Sequence, residues 1–349
     1  MRYQLASSAA LLLTLLHPAS SQSYLNAGRC PEPPSGNNDK KCRCINVDDF
    51  DDLKGAIERM DDNGECKCFR SFSVTKSSQE SPIEVRGKGI IIQCQTLGQC
   101  AINGPGTHIF ISGEDSEATI SGFRFRGATE SAIVISDGTG SGGTDGTREQ
   151  TICDSSFVNN QNYWHNGGAI KAGAATSAYI ANSYFEGNIA ARMGGAVSGE
   201  SNKVSVLDST FSSNSAPVGG ALSSNQVDSI LILTGNSFDD SNTAGLGPAY
   251  GPAVAANGLV QDLGGNEANA NDLMCLGCKL QAGVATKSYQ PNLGREDDAG
   301  VSSNTNTQYK GNPEFLAYET YDKEDEWGPF HLKVSDSKIG GYVDRKNCT

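Results

Sequence analysis

Phe157-Val-Asn-Asn160, Phe185-Glu-Gly-Asn188 and Phe211-Ser-Ser-Asn214 are copies of one pattern, Phe-x-x-Asn. A second pattern runs between them as Gly167-Gly-Ala-Ile170, Gly194-Gly-Ala-Val197 and Gly219-Gly-Ala-Leu222. The intervals from Phe157 to Phe185, Phe185 to Phe211 and Phe211 to Phe238 are 28, 26 and 27 residues. Two unrelated patterns advancing at one period mark a stacked repeat. Five residues before each phenylalanine stands an aliphatic residue, in turn Ile120, Ile152, Ile180, Val206 and Leu233, as an inward strand position requires. Short apolar runs between glycine and Asx punctuation leave no length for helices, so each coil is strands joined by turns. The pattern predicts an all-β chain, a parallel β-helix of roughly five to seven coils.

Weaker copies extend the series. Ile120-Ser-Gly-Phe-Arg-Phe125 with Ala132-Ile133 reads as an earlier coil, and Phe238 with Gly251-Pro-Ala-Val254 as a later one. The longer step of 32 residues from Phe125 to Phe157 contains the Gly/Thr/Ser insertion Gly138 to Thr147, which belongs in a surface loop. Coils stack about 4.8 Å apart, so equivalent residues lie over one another. The phenylalanines should stack inside the tube. The asparagines should take a left-handed corner and bond to their copies above and below through their amides. The Gly-Gly pair should supply positive φ or close backbone approach at another corner. Asp154, Asn182 and Asp208, each three residues before a phenylalanine, should cap a turn.

The two tetrapeptide patterns resemble the repeats of the polymorphic outer-membrane protein type and, more broadly, the pectin-lyase-like right-handed β-helix superfamily. The resemblance covers about Ile83 to Val254. It implies a right-handed solenoid and, from the first of these families, surface adhesion. A departure is that no C-terminal run of alternating strands is long enough for an outer-membrane barrel.

The start of the chain reads as a secretory signal peptide, residues 1–21: Arg2, an apolar stretch from Leu5 to Leu16, then small residues before Gln22. No later segment approaches the ~20 apolar residues of a membrane span. All 11 cysteines lie downstream, which in a secreted chain predicts disulfides and at least one unpaired thiol. Cys153, isolated between a cluster from Cys30 to Cys100 and the late Cys275, Cys278 and Cys348, is the candidate for that thiol. The net charge of -13 argues against nucleic acid and anionic membrane as partners.

The ends of a solenoid must be covered. Val47, Phe50, Leu53, Ile57 and Met60 recur at helical spacing. Asp48, Asp49, Asp51 and Asp52 come early and Lys54 and Arg59 late, as the helix dipole favours. Residues 22–82 are thus expected to form a Cys-rich cap with an amphipathic helix. Cys42-Arg-Cys44 and Cys66-Lys-Cys68 would lock it, and Cys94 with Cys100 would close a local loop. The solenoid is expected over 83–262, and a second cap anchored by Cys275-Leu-Gly-Cys278 over 263–290. Residues 291–349, polar and acidic, read as a largely flexible tail that ends in the sequon Asn347-Cys-Thr349.

Polysaccharide-cleaving solenoids need acids on one outer face to hold calcium or to act as acid and base. The positions after each phenylalanine, Arg126, Val158, Glu186, Ser212 and Asp239, form no acidic ladder. The paired Asp-Asp and Gly-His-Gly elements of polygalacturonases and the Asp-Pro-His-Asp element of uronan epimerases are missing. Asp137 to Asp145 lacks the alternating acids of a calcium loop, and Lys171 with Arg192 read as solvated charges. No catalytic residue, metal site or cofactor is therefore assigned. The most suggestive segment is Asn159-Asn-Gln-Asn-Tyr-Trp-His-Asn166. It puts Tyr163, Trp164, His165 and Asn166 in an enlarged turn where an indole can stack on a sugar and amides can bind hydroxyls. The competing reading folds Trp164 over a neighbouring coil. The expectation is a secreted, extracellular or cell-wall protein with a structural, adhesive or carbohydrate-binding role, its partner a polysaccharide or a cell-surface protein. The alternative is a lyase, hydrolase or epimerase.

Overall fold

The computed structural model describes residues 30–31, 42–60, 65–113, 116–136, 149–174, 176–201, 203–226, 229–246 and 251–257. Beyond these it describes 259–262, 266, 273–275, 279–282, 316–322 and 331–338. The chain is a parallel β-solenoid of about seven turns. Its coils contribute one strand each to a ten-stranded, a seven-stranded and an eight-stranded sheet, and the central coils add a strand to a four-stranded one. All pairings within these sheets are parallel, and sequence neighbours in a sheet are successive coils. The ladder begins at Cys42, since strand Cys42–Ile45 pairs with Cys66–Phe69 and that strand with Lys88–Cys94.

The columns read from the period are registers in the structure. Ile120, Ile152, Ile180, Val206 and Leu233 lie opposite one another in the ten-stranded sheet. Phe125, Phe157, Phe185, Phe211 and Phe238 do so in the seven-stranded sheet. Their rings stack with centroids 5.0, 4.9, 4.7 and 4.9 Å apart, nearly the coil spacing itself. Phe157, Phe185 and Phe211 are wholly enclosed, each contributing about 1.5–3 kcal/mol by burial.

Three corners carry the turns. At the first, Gly122, Asp154, Asn182, Asp208 and Gly235 all have positive φ, so the Asx residues serve as left-handed corner residues. The hydrogen bonds that repeat identically from coil to coil come from the next position. Ser155, Ser183 and Ser209 each donate to the carbonyl two residues back, at 2.7–2.8 Å. The same hydroxyls accept from the backbone N–H of the preceding coil at Phe123, Ser155 and Ser183. At the second corner the left-handed residues are Asn159, Gly187 and Ser213, one position before the asparagines expected to hold that conformation. The reason is that Asn160, Asn188 and Asn214 point inward, with no exposure, where their amides form a continuous ladder. Each Nδ2 donates to the Oδ1 of the next coil at 2.9–3.0 Å. Each also donates to the carbonyl of a ladder phenylalanine one coil down, at Phe125, Phe157 and Phe185.

At the third corner the two glycines divide the work. Gly167, Gly194 and Gly219 have positive φ. Gly168, Gly195 and Gly220 have no room for a side chain: a Cβ there would lie 2.1–2.3 Å from the carbonyl oxygen of the coil above.

The N-terminal end is closed by a helix, Phe50–Glu58, that buries Phe50, Leu53, Ala56 and Ile57. Asp49 is its N-cap, accepting from Asp52 N at 2.8 Å, with Asp51 and Asp52 in the first turn. Its last turn contains no basic residue. Arg59 only follows it as the C-cap, and Lys54 pairs with Glu58 instead, at 3.7 Å. The carboxylate of Glu58 accepts from Glu84 N at 2.9 Å, tying the helix to strand Ile83–Val85. Below it Cys42 is bonded to Cys66 and Cys44 to Cys68, directly across two adjacent strands. Cys94 and Cys100 close a local loop.

Cys153 is not a free thiol: it is bonded to Cys30. Its side chain lies on the outer side of the ten-stranded sheet, in a cluster with Tyr179, Ala181 and Leu207. Cys30 comes from so far upstream that proximity along the chain gave no hint of the pair. Cys278, the Asp137 to Asp145 insertion and the Asn347 sequon lie outside the described residues. Within 291–349, read above as a flexible tail, strands Leu316–Asp322 and His331–Lys338 pair antiparallel.

One interior group makes stability depend on pH. His108 is fully enclosed and stacks on Phe125, 6.1 Å between ring centroids. Its Nε2–H donates to Gly104 O at 2.8 Å, and Nδ1 has no partner. Burial, with a smaller push from the Lys76 ammonium and against the bond to Gly104, lowers its pKa from 6.5 to about 4. Above pH 6.5 the ring is neutral folded and unfolded. As pH falls from there toward 4 only the unfolded chain takes up the proton, so stability is lost over that window. At about 1.4 kcal/mol per pH unit the loss approaches about 3 kcal/mol. Urea unfolding at pH 7 and pH 4 should show it in the native chain and not in His108→Gln.

Candidate ligand-binding turn

The enlarged turn joins strand Gln161–Asn162 to strand Ile170–Ala172. In the equivalent place the next coils have only Ala191 to Met193 and then Pro217 to Val218 before their glycines. The extra length is organised by Asn162, which sequence reasoning missed. Asn162 is buried, and its Oδ1 accepts from the backbone N–H of Trp164 at 3.2 Å and of His165 at 2.9 Å. Its Nδ2 donates to Ser131 Oγ at 2.9 Å and to Asn166 O at 3.2 Å. Ser131, in the coil below and itself at positive φ, donates to Gly167 O at 2.5 Å. The turn is thereby clamped at both ends to the rigid wall of the solenoid.

What the clamp presents is aromatic surface. Trp164 is 71% exposed and Tyr163 58% exposed. Trp164 therefore does not fold over a neighbouring coil, and most of its surface is open to solvent. His165 is exposed beside it. Asn166 goes the other way: it is buried, and its Nδ2 donates to Glu200 Oε1 at 2.7 Å, while Oδ1 has no partner. Glu200 follows strand Val197–Gly199 in the next coil, and its own N–H donates to Ala172 O at 2.7 Å. Nothing local in the sequence marked Glu200, because its nearness to Asn166 comes from stacking. The four predicted residues thus separate into an exposed trio, Tyr163, Trp164 and His165, and a buried anchor, Asn166.

The remaining candidates do not converge. Lys171 stands in strand Ile170–Ala172 and Arg192 in the exposed turn of the following coil, and among the described residues no contact joins them. Asp154 accepts from Ser121 Oγ at 3.3 Å. Burial raises its pKa, while bonds from Asn182 and Ser121 oppose the rise. Asp208, in register two coils on, is about 9–10 Å away. No group of three or more His, Cys, Asp and Glu among the described residues could hold a metal ion. No described helix is long and apolar enough to cross a membrane.

No protein-family model matches the chain, and no curated protein does. Among solved structures it aligns with the PL6 family alginate lyase AlyGC at 12% identity and with a mutant of the same enzyme at 11%. In each case the alignment covers 87% of this chain and 57% of the other, with a TM-score of 0.31. The chain spans a little over half the length of those lyases. Similarity at that level carries nothing about activity.

Proposed function

We propose that this chain is a secreted β-solenoid that binds carbohydrate through the Tyr163–Trp164 turn and serves a structural or adhesive role outside the cell or in the wall. The observation that carries the reading is an indole 71% exposed on a turn whose backbone is held by Asn162 at two N–H groups. With the turn's backbone ordered before binding, less entropy is lost when a sugar ring stacks on the indole. The four disulfides among the described residues and the leader-like start support an oxidising, extracellular setting. The resemblance of the repeats to adhesive solenoids points the same way. In this reading the helix Phe50–Glu58 is the N-terminal cap, while the described strands of 42–75 and 273–282 extend the solenoid itself. Cleavage by lyase, hydrolase or epimerase chemistry needs convergent acids and bases, whereas Lys171, Arg192 and Asp154 stand apart.

The test is a glycan array with the native chain and Trp164→Ala, run beside an assay for new reducing or unsaturated ends. Saturable binding is expected, weakened about thirtyfold by the substitution, the scale of a tryptophan hot spot. Turnover of a polysaccharide, or binding indifferent to Trp164, would overturn the proposal.

A further inference from the structure

Strand Phe123–Arg126 alternates inward and outward: Phe123 and Phe125 are enclosed in the tube, and Arg124 and Arg126 are exposed on the outer face of the seven-stranded sheet. Two residues apart on one strand, their side chains leave the sheet about 7 Å from each other. Register places Arg124 between Ala101 and Ser156, and Arg126 between Asn103 and Val158. The next row down is Ser73 and Thr75. None of these neighbours is a carboxylate. Going up the face, the first is Glu186, paired above Val158 and so about 10 Å from Arg126. Neither arginine makes an ion pair among the described residues. In a chain of net charge -13 two adjacent guanidinium groups without a counter-charge are out of keeping with their surroundings. Repulsion from distant carboxylates is screened beyond about 8 Å at physiological salt, so the local pair decides what this surface attracts.

A guanidinium fork matches the paired oxygens of a carboxylate or sulfate and binds them bidentately. The polar side chains around the pair are hydroxyls and an amide, Ser73, Thr75, Asn103 and Ser156, and the apolar neighbours are the small Ala101 and the buried Val158. Two coils above Arg124, in the same column, Tyr184 is 39% exposed. Protein interfaces centre on an apolar cluster, and this face has none near the arginines. Hydroxyl and amide groups on a flat, regular wall suit the hydroxyls of a sugar chain. We propose that Arg124 and Arg126 form a second binding site, for acidic polysaccharide bearing carboxylate or sulfate groups, on a face separate from the Trp164 turn.

The experiment measures binding of the full chain to polygalacturonate and to heparin, the carboxylate and sulfate probes, with neutral dextran and poly-glutamate as comparisons. At least one polyanionic glycan is expected to bind, less tightly as salt rises. Arg124→Gln with Arg126→Gln is expected to weaken that binding about a hundredfold, at about tenfold for each guanidinium–anion pair removed. Both arginines point outward, so the thermal unfolding of the double variant should match the native chain. If it does not, single Arg→Lys variants, which keep the charge and remove the fork, should each weaken binding. The site is refuted if neither polyanion binds, if the arginine variants bind the polyanions as the native chain does, or if those variants lose dextran binding in equal measure. Poly-glutamate binding as tightly as the glycans would refute the assignment to polysaccharide.

Discussion

Asn188→Ala is expected to cost about 2–6 kcal/mol of unfolding free energy, at about 0.5–1.5 kcal/mol for each of the four buried hydrogen bonds it removes. The side chain has no exposure and sits in the middle of the amide ladder. Its Oδ1 accepts from Asn160 N at 3.1 Å and from Asn160 Nδ2 at 3.0 Å. Its Nδ2 donates to Asn214 Oδ1 at 2.9 Å and to Phe157 O at 3.0 Å. Alanine would leave the Asn160 N–H without its acceptor in a dry interior beside stacked rings, and would take one donor from the Phe157 carbonyl. The neighbouring substitution Asn159→Gly is the contrast. Asn159 is exposed and already at φ 53°, a conformation glycine adopts freely, so its unfolding midpoint should move little. Urea denaturation of the two variants separates the explanations. A loss below about 1 kcal/mol for Asn188→Ala would mean that the ladder contributes no more than an ordinary solvated bond.

The second large effect belongs to Cys30–Cys153. It closes a loop of 123 residues, for which the chain-entropy estimate is about 5 kcal/mol at 25 °C, against about 2 kcal/mol for the Cys94–Cys100 loop of 6. Replacing both members, Cys30→Ala with Cys153→Ala, avoids a reactive leftover thiol. Guanidinium unfolding should then show a loss of about 2–5 kcal/mol, and removing Cys94 and Cys100 together should cost less. Equal losses from the two pairs would argue that packing against Tyr179, Ala181 and Leu207, rather than loop closure, sets the effect.

These two sites differ in how far they could be read in advance. Asn188 was visible because a solenoid turns period into contact: a position repeated every 26 to 28 residues meets its own copies, so spacing alone names the partners. Ser155, Ser183 and Ser209 repeat in the same way, each two residues before a phenylalanine, but serine is so common in turns that its type does not mark the column. The one-residue difference over which residue takes the left-handed corner has a related cause. Asn, Gly and Ser alternate at positions 159, 187 and 213, so no single residue type marks that column either. At the candidate turn the aromatic residues stood out by type, but Asn162, Ser131 and Glu200 did not. Their roles depend on which atoms the next coil brings within reach.

The amino-acid sequence by itself determined the solenoid, its inward columns and its glycine corners, because each follows from a local pattern multiplied by stacking. Tertiary structure decided what breaks the repeat: that Cys30 meets Cys153, that Trp164 stands open to solvent, that Asn166 is held by Glu200, and that Arg124 and Arg126 face outward with no carboxylate beside them. Such contacts occur once, between residues that no period relates. Only the folded path of the chain brings them together.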